Sequence, residues 1–236
     1  MSNRLRRKVM ALPVALGLVF TSGCQTLAPD PCPSSLTGSY ISDGLRDLLF
    51  LAMERIIGQL GRTDGFYGDG SVRVPLPETL QRTRSVVQAL GGAGTLADLE
   101  LSLNRAAEDT VPRARSTLEN AITRLQFQDP ETVFRAGERS ASRYFREQAV
   151  RPISLELQPV VEQSLANAGA FRAFDELTTR YVGIALPRQF QSEMIGHVLQ
   201  EALEAIFDYM AREESIIRSD PALRSQRLQC LFSRLT

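Results

Sequence analysis

The sequence predicts an all-α protein, a multi-helix bundle carrying one irregular Gly/Pro-rich loop or short extended segment near residues 61–77. Apolar residues recur at i, i+4 and i+7 from residue 41 onward, as in Ile41, Leu45, Leu48, Leu49, Ala52, Ile56 and Leu60. Helix start and stop signals separate one apolar stripe from the next. By contrast, Val72, Val74 and Leu76 alternate with Arg73 and Pro75 as an extended strip does, and Pro75 and Pro77 argue against a central strand.

The elements follow in order. The first stripe ends at Gly61, and Gly65, Gly68 and Gly70 then permit tight turns in GRTDGFYGDGSVRVPLP. Pro77-Glu78 opens a helix that runs to a stop at Gly91–Gly94. Thr95 with Asp98 is expected to cap the next helix, which carries Leu96, Leu99, Leu103 and Ala107 inward. Thr110 before Val111-Pro112 reads as a fresh start, with Leu118, Ile122 and Leu125 on one face. Asp129-Pro130-Glu131 starts another helix. Further stripes are Tyr144, Val150 and Ile153; Leu157, Val161 and Leu165; and Phe171, Phe174, Leu177 and Tyr181. The longest runs from Phe190 to Met210, and Pro221 to Leu235 is expected to form a last short helix.

The N-terminus predicts export. Arg4, Arg6, Arg7 and Lys8 precede the apolar run Val9 to Phe20, so residues 1–23 read as a signal peptide, too short for a membrane span. Thr21-Ser22-Gly23-Cys24 resembles a lipobox, in which small residues precede a cysteine that receives diacylglycerol. Ser22 and Gly23 match; Thr21 stands where an aliphatic residue is usual. Cys24 is therefore the candidate lipidation site, and Gln25 after it favours the outer membrane by resemblance to enterobacterial sorting. Residues 24–38, rich in Pro, Ser, Thr and Gly, read as a flexible tether, leaving 39–236 as a single α-helical domain.

The chain has 27 basic and 27 acidic residues; four bases fall in the leader, which leaves the mature chain at −4. That balance excludes a nucleic-acid footprint, which needs a clustered basic excess. Three cysteines are present. If Cys24 is acylated, Cys32 and Cys230 remain as a pair that an oxidising periplasm can join. The alternatives are two unpaired thiols, or Cys24 with Cys32 if lipidation fails.

Two blocks stand out: Asp64-Gly65-Phe66-Tyr67-Gly68 with Val72-Arg73-Val74-Pro75-Leu76-Pro77, and Leu101-Ser102-Leu103-Asn104-Arg105-Ala106-Ala107-Glu108 with Val111-Pro112. On these, and on Glu213-Glu214 with Ile217-Arg218, the chain resembles the bacterial domain-of-unknown-function family numbered 4197, secreted proteins and lipoproteins whose function is unassigned. The resemblance implies an α-helical envelope protein and carries over no catalytic residue. Cys32 and Cys230 are not features of the family pattern.

Within the blocks, Phe66 and Tyr67 are expected to pack the loop onto the bundle, or else to form the lip of a pocket. Asn104 and Glu108 share a helical face and are expected to hydrogen-bond the loop's backbone. The functional alternative is an anion site built on Arg105 with Arg73. His197 is the single histidine, which argues against a histidine triad or a multi-histidine metal site. Asp64 and Asp69 lack calcium-loop spacing and read as turn residues. The sequence thus predicts no metal and no cofactor. It predicts a non-enzymatic envelope lipoprotein that reaches the membrane through its lipid and binds or scaffolds an unknown envelope protein. A periplasmic carrier of an apolar ligand such as a lipid is the alternative. A hydrolase built on Ser or acidic residues has the weakest support.

Overall fold

A computed structural model describes residues 32–181 and 190–235, so the leader, Cys24 and residues 24–31 of the expected tether lie outside the described residues. Among the described residues the chain is helical, with a 3-10 turn at Pro221–Leu223 and no strand. The helices are α1 Gly38–Leu60, α2 Glu78–Ala89, α3 Ala93–Arg113, α4 Arg115–Arg124, α5 Pro130–Arg135, α6 Ser140–Asn167, α7 Ala170–Arg180, α8 Phe190–Ser219 and α9 Gln226–Leu235.

The first helix shows how local signals and burial combine. Thr37 caps it by accepting a hydrogen bond from the Tyr40 N–H at 3.2 Å, and Gly61 closes it by donating to the Ile57 carbonyl at 3.1 Å. Between them, Leu45, Leu48, Leu49, Ala52, Ile56 and Leu60 are fully buried. Each leucine or isoleucine so buried contributes about 2 kcal/mol of transfer free energy. α8 lies along α6 and α1, while α3 packs on α6, α7 and α8. Stacked or tilted rings tie the joins, with Phe174 on Phe190 at 4.4 Å and Phe134 on Phe232 at 4.9 Å.

Two helix starts differ from expectation. α3 begins at Ala93, with Gly92 rather than Thr95 at its N-cap and no side-chain cap bond. Gly91, at φ 85°, reverses the chain tightly enough for the helix to begin one turn early. Nor does Thr110 start a helix. It is buried inside α3, and its hydroxyl donates back to the Ala106 carbonyl at 2.8 Å. Pro112 sits in the last turn of that helix, and Ala114 separates α3 from α4.

The stripes from Tyr144 to Leu165 belong to one 28-residue helix, α6. It accommodates Pro152 and Pro159 because both lie on its exposed face, where the carbonyls they leave unpaired reach water. Gly169, at φ 76°, supplies the left-handed residue that turns α6 into α7. The expected last helix resolves into the 3-10 turn and α9.

Cys32 and Cys230 are joined: the sulfurs are bonded and the Cα atoms lie 5.4 Å apart. Beside the bond, the Arg234 guanidinium donates to the Pro33 carbonyl. Residues 32–37 of the stretch read as tether are therefore held against α9 at one end and run into α1 at the other.

Candidate functional site

The loop between α1 and α2 lies across α3 and α8, and it brings together all six residues singled out from the two sequence blocks. Turns carry the chain from Gly61 to Val72, and residues 73–77 then run extended without a strand partner. A Cβ on Gly65 would stand 2.3 Å from the Leu60 carbonyl oxygen, so only glycine allows the loop to fold back so closely on the end of α1. Phe66 is fully buried in the core.

α3 supplies the polar contacts. Asn104, fully buried, accepts from the Val74 N–H at 2.9 Å and donates to the Val74 carbonyl at 2.8 Å. Its amide thus gives Val74 both hydrogen bonds that a neighbouring strand would give. One turn on, Glu108 accepts the N–H groups of Phe66 and Tyr67 on one oxygen, each at 3.1 Å. Its other oxygen takes the Arg105 guanidinium at 2.6 Å, and Arg105 reaches on to Asp64 at 2.8 Å. The hydrogen bond that Arg105 donates to Glu108 is the main reason that its pKa is raised. Arg73 folds back on its own loop, donating to the Tyr67 carbonyl at 2.8 Å, with its guanidinium 4.3 Å from the Tyr67 ring centre. Arg105 lies 5.9 Å from the same ring. Phe66 is thus core, and Tyr67 is held beside two arginines.

α8 fastens the other side. His197 donates from Nε2 to the Pro75 carbonyl at 2.7 Å. The Tyr209 hydroxyl donates to Asp69, which also accepts from the Ser71 N–H at 2.9 Å. The Tyr209 hydrogen bond, helped by Ser71, holds the Asp69 carboxyl below the usual carboxylate range. Burial and the Asp69 partner together push the Tyr209 pKa up. Asp64 and Asp69 are thus turned to different partners. Among the described residues no group of three or more His, Cys, Asp or Glu is placed to hold a metal ion.

A second polar cluster is built on Glu214 and Arg218. Glu214 on α8 is fully buried and accepts the N–H groups of Ala141 at 3.1 Å and Ser142 at 2.7 Å, at the start of α6. Arg218, one turn on, donates to Glu214 at 2.8 Å and to the Phe134 carbonyl at 3.0 Å. Next to it, an open groove of about 960 Å³ runs between α5, the end of α8 and α9, with Phe134, Arg135, Glu138, Arg218, Arg224 and Phe232 in its walls.

The sequence profile described as "Protein of unknown function (DUF4197)" matches residues 35–232. The chain belongs to this family. The match begins beside the Cys32–Cys230 bond and takes in both polar clusters. No curated protein and no solved structure matches the chain.

Proposed function

We propose that this member of the family is a lipid-anchored envelope protein whose helical bundle is a non-enzymatic binding or scaffolding module. The observation that carries the bundle's part is where the polar residues of the two blocks are used. Asn104, Arg105 and Glu108 spend their hydrogen bonds on the loop, on the α3 backbone at Glu100 and, between Arg105 and Glu108, on each other. A group committed in that way shapes a surface instead of carrying out proton transfer or nucleophilic attack, which need a group free to meet a substrate. The anchor rests on the basic and apolar leader and on Ser22-Gly23-Cys24, and Gln25 favours the outer membrane.

In favour of the carrier reading is a groove between α6 and α8, with a volume of about 380 Å³ and Val150, Leu199, Leu203 and Phe207 in its walls. Leu199, Leu203 and Phe207 are exposed by only 7%, 4% and 2%, so the groove offers an acyl chain little apolar surface. Binding or scaffolding is preferred on that ground. A reproducibly co-purified lipid in native mass spectrometry would reverse the preference.

The anchor is tested by labelling cells with a radioactive fatty acid. Incorporation that disappears in Cys24→Ala is the expected result, and a wild-type chain that takes up no label would remove the anchor. Cross-linking in intact cells then identifies the neighbour that the module holds.

A further inference from the structure

Resting on the proposed anchor at Cys24, the geometry points to a docking surface: the face formed by α9 and the residues leading into it lies against anionic lipid headgroups. Cys24 and Cys32 are eight positions apart, a distance that the extended chain spans with at most about 28 Å. Cys32 is bonded to Cys230 in the middle of α9, so this helix, not merely the start of α1, is leashed to the anchor. The far side of the domain is held off by the length of α8. α2 meets the beginning of α8, where Thr79 donates to Glu193 at 2.7 Å. The approach to α9 meets its end, where Arg224 donates to the Ile217 carbonyl at 3.2 Å. Those two places on α8 are about 36 Å apart at the helical rise per residue, which exceeds the leash.

The mature chain is acidic overall, yet residues 221–236 hold Arg224, Arg227 and Arg234 and no acid. Arg227 is answered by Asp47 at 3.4 Å and Asp43 at 3.9 Å, and Arg135 across the groove by Glu131 at 3.0 Å. Among the described residues Arg224 and Arg234 are held instead by carbonyls, Arg224 by those of Ile217 and Arg218 and Arg234 by that of Pro33. A carbonyl orients a guanidinium without cancelling its charge; burial lowers the Arg224 pKa, against the field of Asp220. Arg234 therefore sits beside the leash itself, and Gln226 and Gln229 present further exposed polar surface on the same helix. A bilayer with anionic headgroups complements such a face, each arginine near the surface favouring the docked state about five-fold.

The test supplies the anchor chemically, so that its outcome does not depend on whether cells acylate Cys24. The mature chain with its disulfide intact is coupled through the Cys24 thiol to a maleimide phospholipid in vesicles. One set is pure phosphatidylcholine and the other contains phosphatidylglycerol. Modification of Arg234 by phenylglyoxal is followed by mass spectrometry, with the exposed Arg82 of α2 as the internal reference. The expected result is modification of Arg234 slowed at least about five-fold on anionic vesicles relative to neutral ones, with Arg82 unchanged. Gln226→Glu with Gln229→Glu, both at exposed positions, is expected to return Arg234 to its rate on neutral vesicles. Equal rates for Arg234 on the two vesicle types, slowing of Arg82 to the same extent, or slowing that persists in the double variant would each overturn the docking surface. Missing acylation at Cys24 in cells would instead count against the anchor alone.

Discussion

The two polar clusters use one device for different ends. In each, a glutamate on a helix accepts two consecutive backbone N–H groups from elsewhere and is paired with an arginine one turn away on its own helix. Glu108 holds a loop, with Arg105 still a third exposed; Glu214 holds the first turn of α6, with Arg218 only 8% exposed. A helix start can thus take its cap from a distant part of the chain. Arg139, at the N-cap of α6, makes no side-chain cap bond, and the acceptor is supplied by α8 instead. The difference in burial also predicts a difference in cost, because a charge left unpaired in the interior has no water to answer it.

Breaking the Cys32–Cys230 bond is the largest perturbation. A bond that closes a loop with a sequence separation of 198 contributes about 5 kcal/mol in the chain-entropy model. Cys230→Ser is expected to lower the thermal midpoint sharply and to loosen α9, which rests on Phe134 beside the Glu214 cluster. Denaturant titration with and without reductant measures it, and a wild-type midpoint indifferent to reductant would contradict it.

Removing the glutamates one at a time comes next. Glu214→Ala strands Arg218 and two buried N–H groups and is expected to cost about 4 kcal/mol. Glu108→Ala is expected to cost about 3 kcal/mol, since water can reach Arg105. Chemical denaturation of the two variants ranks them, and the reverse order would break the argument from burial.

Tyr209→Phe is the smallest change and carries a pH signature. With Asp69 held below its ordinary pKa, its contribution is present above the unfolded value and is lost as pH falls through the folded one. The variant is expected to be less stable than the wild type by about 1 kcal/mol at neutral pH. The gap should begin to narrow below about pH 4 and close once the pH has fallen through the lowered folded value, where Asp69 is protonated in both proteins. A gap that stays constant down to acid pH would detach Tyr209 from the titration of Asp69.

Much of the fold was legible because apolar spacing reports one helix at a time. The stripe from Ile41 to Leu60, the stop at Gly61 and the start at Asp129 are all local signals, and the helices follow them. Thr95 and Thr110 misled because a capping side chain in the sequence says nothing about whether the backbone has already turned. The loop site was legible for a related reason. A Gly/Pro-rich stretch leaves backbone groups without partners, and Asn104 and Glu108 lie on one face of a neighbouring helix, able to satisfy them. Glu214 and Tyr209 gave no such signal. Both lie in a long stripe that already reads as helix, and the groups that they bind are 73 and 140 residues away. Only three-dimensional proximity reveals those pairings.

Asn104 and Glu108 hold the loop of the first family block onto α3. Amide hydrogen exchange in Glu108→Ala tests it most directly, read at Phe66 and Tyr67, with Ala141 and Ser142 under Glu214 as the reference. Phe66 and Tyr67 are expected to lose their protection selectively, while Ala141 and Ser142 stay as slow as in the wild type. Unchanged protection at Phe66 and Tyr67 would contradict it.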